Sequence, residues 1–168
     1  MKKILCIVFL LCISFVGHSQ YKAWAVGAKL GDPSGLTVRR YLKNDKNAIE
    51  FNLGVYGAIW GLRSPYREGS FDGAGVSFNA LYLWHRELGS NLLEAYYGFG
   101  LQMTSRNYVV NRVQMSSSGT GGIGQAGLEY SIPNSPLSVF GELGVYLEMI
   151  PASQYIHPQG GIGARVNF

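Results

Sequence analysis

From about residue 22 onward, apolar and polar positions alternate every second residue, and turn-forming residues break the alternation at intervals. A period of two is that of a strand with one face in an apolar medium. It is clearest over residues 92–104, where Leu93, Ala95, Tyr97, Phe99, Leu101 and Met103 share one face and Glu94, Tyr96, Gln102 and Thr104 share the other. Over residues 137–149 the apolar face is Leu137, Val139, Leu143, Val145, Leu147 and Met149, opposite Ser138, Glu142 and Glu148. The pattern predicts eight strands, at residues 22–31, 36–42, 48–57, 73–86, 92–104, 119–132, 137–149 and 159–168. No segment has the helical period and length of a crossover helix, so the pairing is expected to be antiparallel.

Alternation also occurs in soluble sandwiches. Strand and loop lengths favour a different solution. Several strands reach the roughly 9–11 residues that cross a bilayer at a tilt. With the N-terminus at the lower, periplasmic end, the lower turns 43–47, 87–91 and 133–136 are all short. The upper connections 58–72, 105–118 and 150–158 are longer, and 32–35 is the exception. Short turns on one side and long loops on the other characterise outer-membrane barrels. In this register Trp24, Trp84, Tyr130 and Phe168 face outward at the lower strand ends, as an aromatic girdle at a membrane boundary would. The fold class expected is therefore all-β: an eight-stranded antiparallel up-and-down transmembrane barrel.

The start of the chain fits this destination. Lys2 and Lys3 precede an apolar run from Ile4 to Val16, and small residues Gly17 and Ser19 follow. This is the pattern of a cleaved export signal over residues 1–19, leaving a barrel over residues 20–168. The run is short for a spanning helix, which needs about 20 apolar residues. Cys6 and Cys12 both fall within it and neither follows small residues, so neither a disulfide nor a lipidated cysteine is expected in the mature chain. The formal charge of +4 falls to +2 without Lys2 and Lys3, and there is no basic run, which argues against nucleic-acid binding.

The last strand ends on an outward aromatic, Phe168, and so resembles the C-terminal signal read by the barrel-insertion machinery. The eight strands and short lower turns of the whole mature length resemble the small OmpA/OmpX-like and OmpW-like outer-membrane barrels. The segment LGDPSGLTVRRYL, residues 30–42, resembles the first hairpin of barrels of this kind. The resemblance implies an outer-membrane location and contact with outer-membrane lipid and lipopolysaccharide. No periplasmic domain is expected, hence no peptidoglycan-binding role like that of the larger relatives.

If the apolar faces meet lipid, the other faces point into a narrow lumen. Lys29, Arg39, Glu50, Glu94, Glu129, Glu142, Glu148 and Arg165 are expected there as an ionic network, because unpaired charge away from water is costly. Two readings remain open. The network is a structural filling, as in most eight-stranded lumens, or, with glutamates in excess, a narrow cation-preferring pathway. Arg40, on the apolar register, is expected to snorkel to the lower boundary. Arg63, Arg67, Arg106 and Arg112 in the upper connections are expected to meet lipopolysaccharide phosphates or a protein partner, or else to form an ordinary interfacial rim.

A lipid-modifying enzyme would need a nucleophile and a base at the upper rim. His85 falls at the lower end, and His157, read as a loop residue within reach of Ser153, Asp72 or Ser70, forms no recognisable motif. The widely spaced histidines and cysteine-free mature chain suggest no metal or cofactor. The glycine-rich stretch 119–127 lacks a Gly-Lys-Ser/Thr sequence and a following helix, so it reads as strand rather than phosphate loop. The function expected is non-enzymatic, structural or surface-binding in the envelope. A narrow pore is the alternative, and an outer-leaflet lipid-modifying enzyme the third reading.

Overall fold

A computed structural model describes residues 23–42, 46–152 and 155–168. The proposed export signal lies outside them. The described residues form ten strands: β1 (Trp24–Asp32), β2 (Ser34–Tyr41), β3 (Asn47–Tyr56), β4 (Pro65–Tyr66), β5 (Gly69–Phe71), β6 (Gly75–Glu87), β7 (Leu93–Val110), β8 (Val113–Ser131), β9 (Leu137–Ile150) and β10 (Tyr155–Asn167). Eight of them build a closed wall. Each pairs antiparallel with its neighbours, β7 joins β8, and β1 joins β10. At the lower end the two extremes of the wall exchange backbone bonds: Trp24 N donates to Phe168 O, and Phe168 N donates to Trp24 O, both at 2.8 Å. Closure leaves no strand edge along the ring, which is what a sheet needs where no water can satisfy its backbone.

The two faces of the wall differ in chemistry. Outward positions carry Leu30, Leu36, Phe51, Leu53, Phe78, Phe99, Leu101, Leu143, Val145 and Ile162, all well exposed, with Leu143 at 76% and Leu30 at 74%. Inward positions carry Lys29, Arg39, Glu50, Gln102, Glu129 and Arg165, all buried. A protein folded in water shows the reverse, so the apolar medium lies outside the barrel. Trp24, Tyr130 and Phe168 stand exposed on the outer lower wall. Trp84 joins them through the register Trp84–Tyr97, with the two rings stacked at 5.8 Å. Arg40 also faces out at this end, its guanidinium 5.0 Å from the Trp24 ring.

The upper connections differ from the expectation. Residues 105–118 are not a long loop: β7 and β8 stay paired to Val110 and Val113, and only Asn111 and Arg112 make the turn. Both have positive φ, at 52° and 67°, as a tight hairpin of this twist requires. The run Ser116–Gly119 looks like loop in composition. A strand standing in water above a membrane, however, can be polar on both faces and keep its ladder. Residues 58–72 hold a small hairpin, β4–β5, which adds to the upper edge of β7 through Ser70–Val109 and Phe71–Tyr108. β10 begins at Tyr155, four residues earlier than the alternation suggests, which brings His157 into the wall with its side chain buried inside.

Candidate functional site: the lumen and its upper cap

The middle of the lumen is a closed ionic tier. Arg39 and Glu50 are direct cross-strand partners on β2 and β3. Arg39 donates from Nε to Glu50 Oε2 at 2.7 Å and from Nη1 to Glu129 Oε2 at 2.8 Å. Arg165 completes the ring, donating to the same two oxygens at 2.9 Å and 2.8 Å. Lys29 and Glu142 pair at 2.5 Å beside it, and the Tyr96 hydroxyl donates to Glu142 Oε2 at 2.7 Å. Three cations thus face three carboxylates and the tier is neutral. Its remaining oxygens are met by Asn52, Gln125 and the Ser138 hydroxyl. Multiple charge-assisted bonds of this kind offset the cost of taking ions out of water.

Aromatic rings support the tier. The Arg165 guanidinium lies 3.5 Å from the Phe140 ring centre and that of Arg39 lies 4.4 Å from Tyr96. Phe140 has room because β10 carries glycine opposite it: a Cβ at Gly163 would stand 2.4 Å from Phe140 Cζ. Above the tier runs a line of amides, Asn52–Asn79 at 2.8 Å and Gln159–Gln102 at 3.1 Å. Glu94 and Glu148 lie apart from the central tier, at opposite ends of the lumen. Glu94 is half-buried at the lower mouth. Glu148 is buried at the top, where it accepts from the Tyr66 hydroxyl at 2.7 Å. Burial, helped by that carboxylate, pushes the Tyr66 phenol up to about 12, so it remains a donor.

The upper end is capped by the segment between β3 and β6. Asp32 Oδ1 accepts from Gly57 N at 2.7 Å. The Trp60 indole donates to Pro158 O at 2.6 Å. Tyr66, Phe71 and Tyr108 pack together, with Tyr155 against them. Arg106 departs from its expected role as a surface contact. It lies on the inward face of β7, buried, and donates to the carbonyls of Gly73 (2.7 Å), Gly57 and Gly61, while its guanidinium lies 4.0 Å from the Phe71 ring. It is a clasp for the cap. Arg63, Arg67 and Arg112 do stand exposed at the top. His157 faces Asp32, with Nε2 to Oδ2 at 3.6 Å, rather than Asp72 or Ser70; Ser153 lies outside the described residues. Arg106→Ala should leave the barrel folded but open residues 57–73 to limited proteolysis, because charged hydrogen bonds are worth about 1.5–3 kcal/mol; a segment as resistant as in the parent would contradict this.

Alternation could identify the lumen residues but not the cap. Arg106 sits in a polar stretch that reads as loop, and only an extended β7 gives it inward parity.

A closed eight-stranded ring, apolar outside and ionic within, decides the comparison with known structures. The fold is that of the small outer-membrane barrels. The N-terminal β-barrel domain of Pseudomonas aeruginosa OprF superimposes with a TM-score of 0.64 at 16% identity, over 86% of this chain and 95% of that one. Neisserial surface protein A superimposes with a TM-score of 0.55 at 11% identity, over 86% and 93% of the two chains. Ail, the attachment invasion locus protein of Yersinia pestis, gives a TM-score of 0.50 at 16% identity over the same shares. No family model and no curated protein sequence matches the chain. At these identities the likeness speaks for the architecture.

Proposed function

We propose that the protein is a non-enzymatic, integral outer-membrane barrel with a structural or surface-binding role in the envelope. One observation carries the reading: a closed wall whose outer face is covered by exposed Leu, Val, Ile and Phe while its charges are paired inside. The neutral, side-chain-filled middle of the lumen supports a structural interior in preference to a pathway. The short lower turns, set against the long segment between β3 and β6 that caps the other end, support the orientation with the cap outward.

The candidate contact surface is the upper rim with Arg63, Arg67 and Arg112, now without Arg106. Guanidinium groups pair with phosphate in a bidentate manner, which suits lipopolysaccharide. Replacing the three by glutamine should weaken binding of the detergent-solubilised barrel to immobilised lipopolysaccharide by roughly fivefold, the sum of several exposed charge contacts. Unchanged binding would reject the lipopolysaccharide role and leave the barrel reading in place.

A further inference from the structure

The lower rim is not level. β3 begins at Asn47, opposite Trp84, whereas β6 and β7 continue paired to Glu87 and Glu94. Below the Asn47–Trp84 pair Lys46 keeps one bond to β6, its carbonyl accepting from His85 N at 2.6 Å, while the β6–β7 ladder runs on to Glu87 and Glu94. The step leaves a cavity of about 680 Å³ that takes in residues from both faces of the wall.

Its lining has three parts. Lys46 and Arg86 supply positive charge, Glu87 and Glu94 supply negative charge, and Trp84 and Tyr97 supply a stacked aromatic pair. Among the described residues, Lys46, Arg86 and Glu87 make no ion pair, in contrast with the ion-paired tier above. The aromatic pair continues up the outer wall, with Tyr82 4.8 Å and Phe99 5.3 Å from Trp84. His85 forms the inner side. Arg39 lies against its Nε2 at 2.9 Å, and arginine has only hydrogens to give, so the ring proton sits on Nδ1, which has no partner among the described residues.

Opposite charges beside an aromatic bed at a membrane boundary match one kind of ligand. We propose that this notch binds a zwitterionic phospholipid of the periplasmic leaflet. Lys46 and Arg86 take the phosphate, Glu87 takes a primary ammonium, and the upper part of one acyl chain lies on Trp84 and Tyr97. The primary ammonium matters because it offers three hydrogens to carboxylates, whereas a quaternary ammonium offers none. The inference rests on the membrane reading above and on the lower end being periplasmic.

The test uses the full barrel with Trp24→Phe and Trp60→Phe, so that Trp84 alone fluoresces, reconstituted in vesicles of mixed composition. Brominated acyl chains are carried in turn on phosphatidylethanolamine, phosphatidylglycerol or phosphatidylcholine. The expected result is that brominated phosphatidylethanolamine quenches Trp84 with roughly three- to fivefold higher apparent affinity than the other two. Glu87→Gln should erase the preference, and Lys46→Gln with Arg86→Gln should weaken all three lipids together, while the folded gel mobility of the barrel is kept. Equal quenching by all three lipids would overturn the notch and leave the membrane barrel intact, as would a preference that survives Glu87→Gln. Quenching by none would mean that Trp84 does not meet lipid, and the membrane reading itself would fall.

Discussion

Glu50→Ala is expected to destabilise the folded barrel by about 3–5 kcal/mol, the usual cost of removing one partner from a buried ionic group. Its Oε2 accepts from both Arg39 and Arg165, and Oε1 accepts from Asn52 and Gln125. Removing the carboxylate leaves two buried guanidinium groups to share Glu129 and costs the Asn52 and Gln125 amides one acceptor each, leaving them Asn79 and Glu142. The readout is the denaturant midpoint at which the compact, unheated gel form converts to the extended one. A second substitution sharpens the result. Adding Arg165→Met to Glu50→Ala removes one of the stranded cations, so the double variant should lose less than the two single losses added together. Additive losses, or a Glu50→Ala effect within that of an exposed pair, about 1 kcal/mol or less, would mean that water reaches the tier and the lumen is open.

Leu101→Arg is expected to cost about 2–4 kcal/mol, because the position sits at mid-height on the outer face and would place a guanidinium against hydrocarbon. Leu101 lies between Phe99 and Met103 on β7, and its cross-strand partners are Ala80 and Gly122. The comparison that gives the number meaning is Asn107→Arg on the same face of the same strand, six residues higher, where β7 stands above the apolar band. There the cost should be about 0–1 kcal/mol, as near an interface. Refolding into vesicles followed by denaturant titration measures both. Equal, small effects at the two positions would show that water covers the whole wall.

The wall was legible in the sequence because a closed barrel in lipid imposes one rule, apolar outward and polar inward, on every spanning residue. Glu94, Gln102, Glu129, Glu142 and Arg165 follow it, and alternation alone assigns their inward facing. The Arg39–Glu50 pair is almost legible as well, since the two residues flank a short turn at matching distances. The Arg165–Glu129 contact is not. It spans the lumen past β9, and its existence depends on ring closure and tilt, which no local pattern encodes.

Outside the membrane the rule lapses. The upper halves of β7 and β8 mix polar and apolar residues on both faces, with Val109 and Met115 beside Asn107 and Ser117, so Ser116–Ser118 reads as loop and Arg106 as a surface residue. The cap is held by carbonyls of glycines and by packing among Tyr66, Phe71 and Tyr108. Such contacts leave no periodic trace. The notch at the lower rim arises from a mismatch between strand ends that is smaller than the error of any boundary drawn from sequence.

The central claim is that lipid covers the outer wall. Fractionation of the expressing cell, with gel mobility compared before and after heating, tests it most directly. The account predicts that the processed chain sediments with the outer membrane, requires detergent for release, and migrates faster unheated than heated. A monomer recovered in the periplasmic fraction without detergent, with the same mobility in both samples, would contradict it.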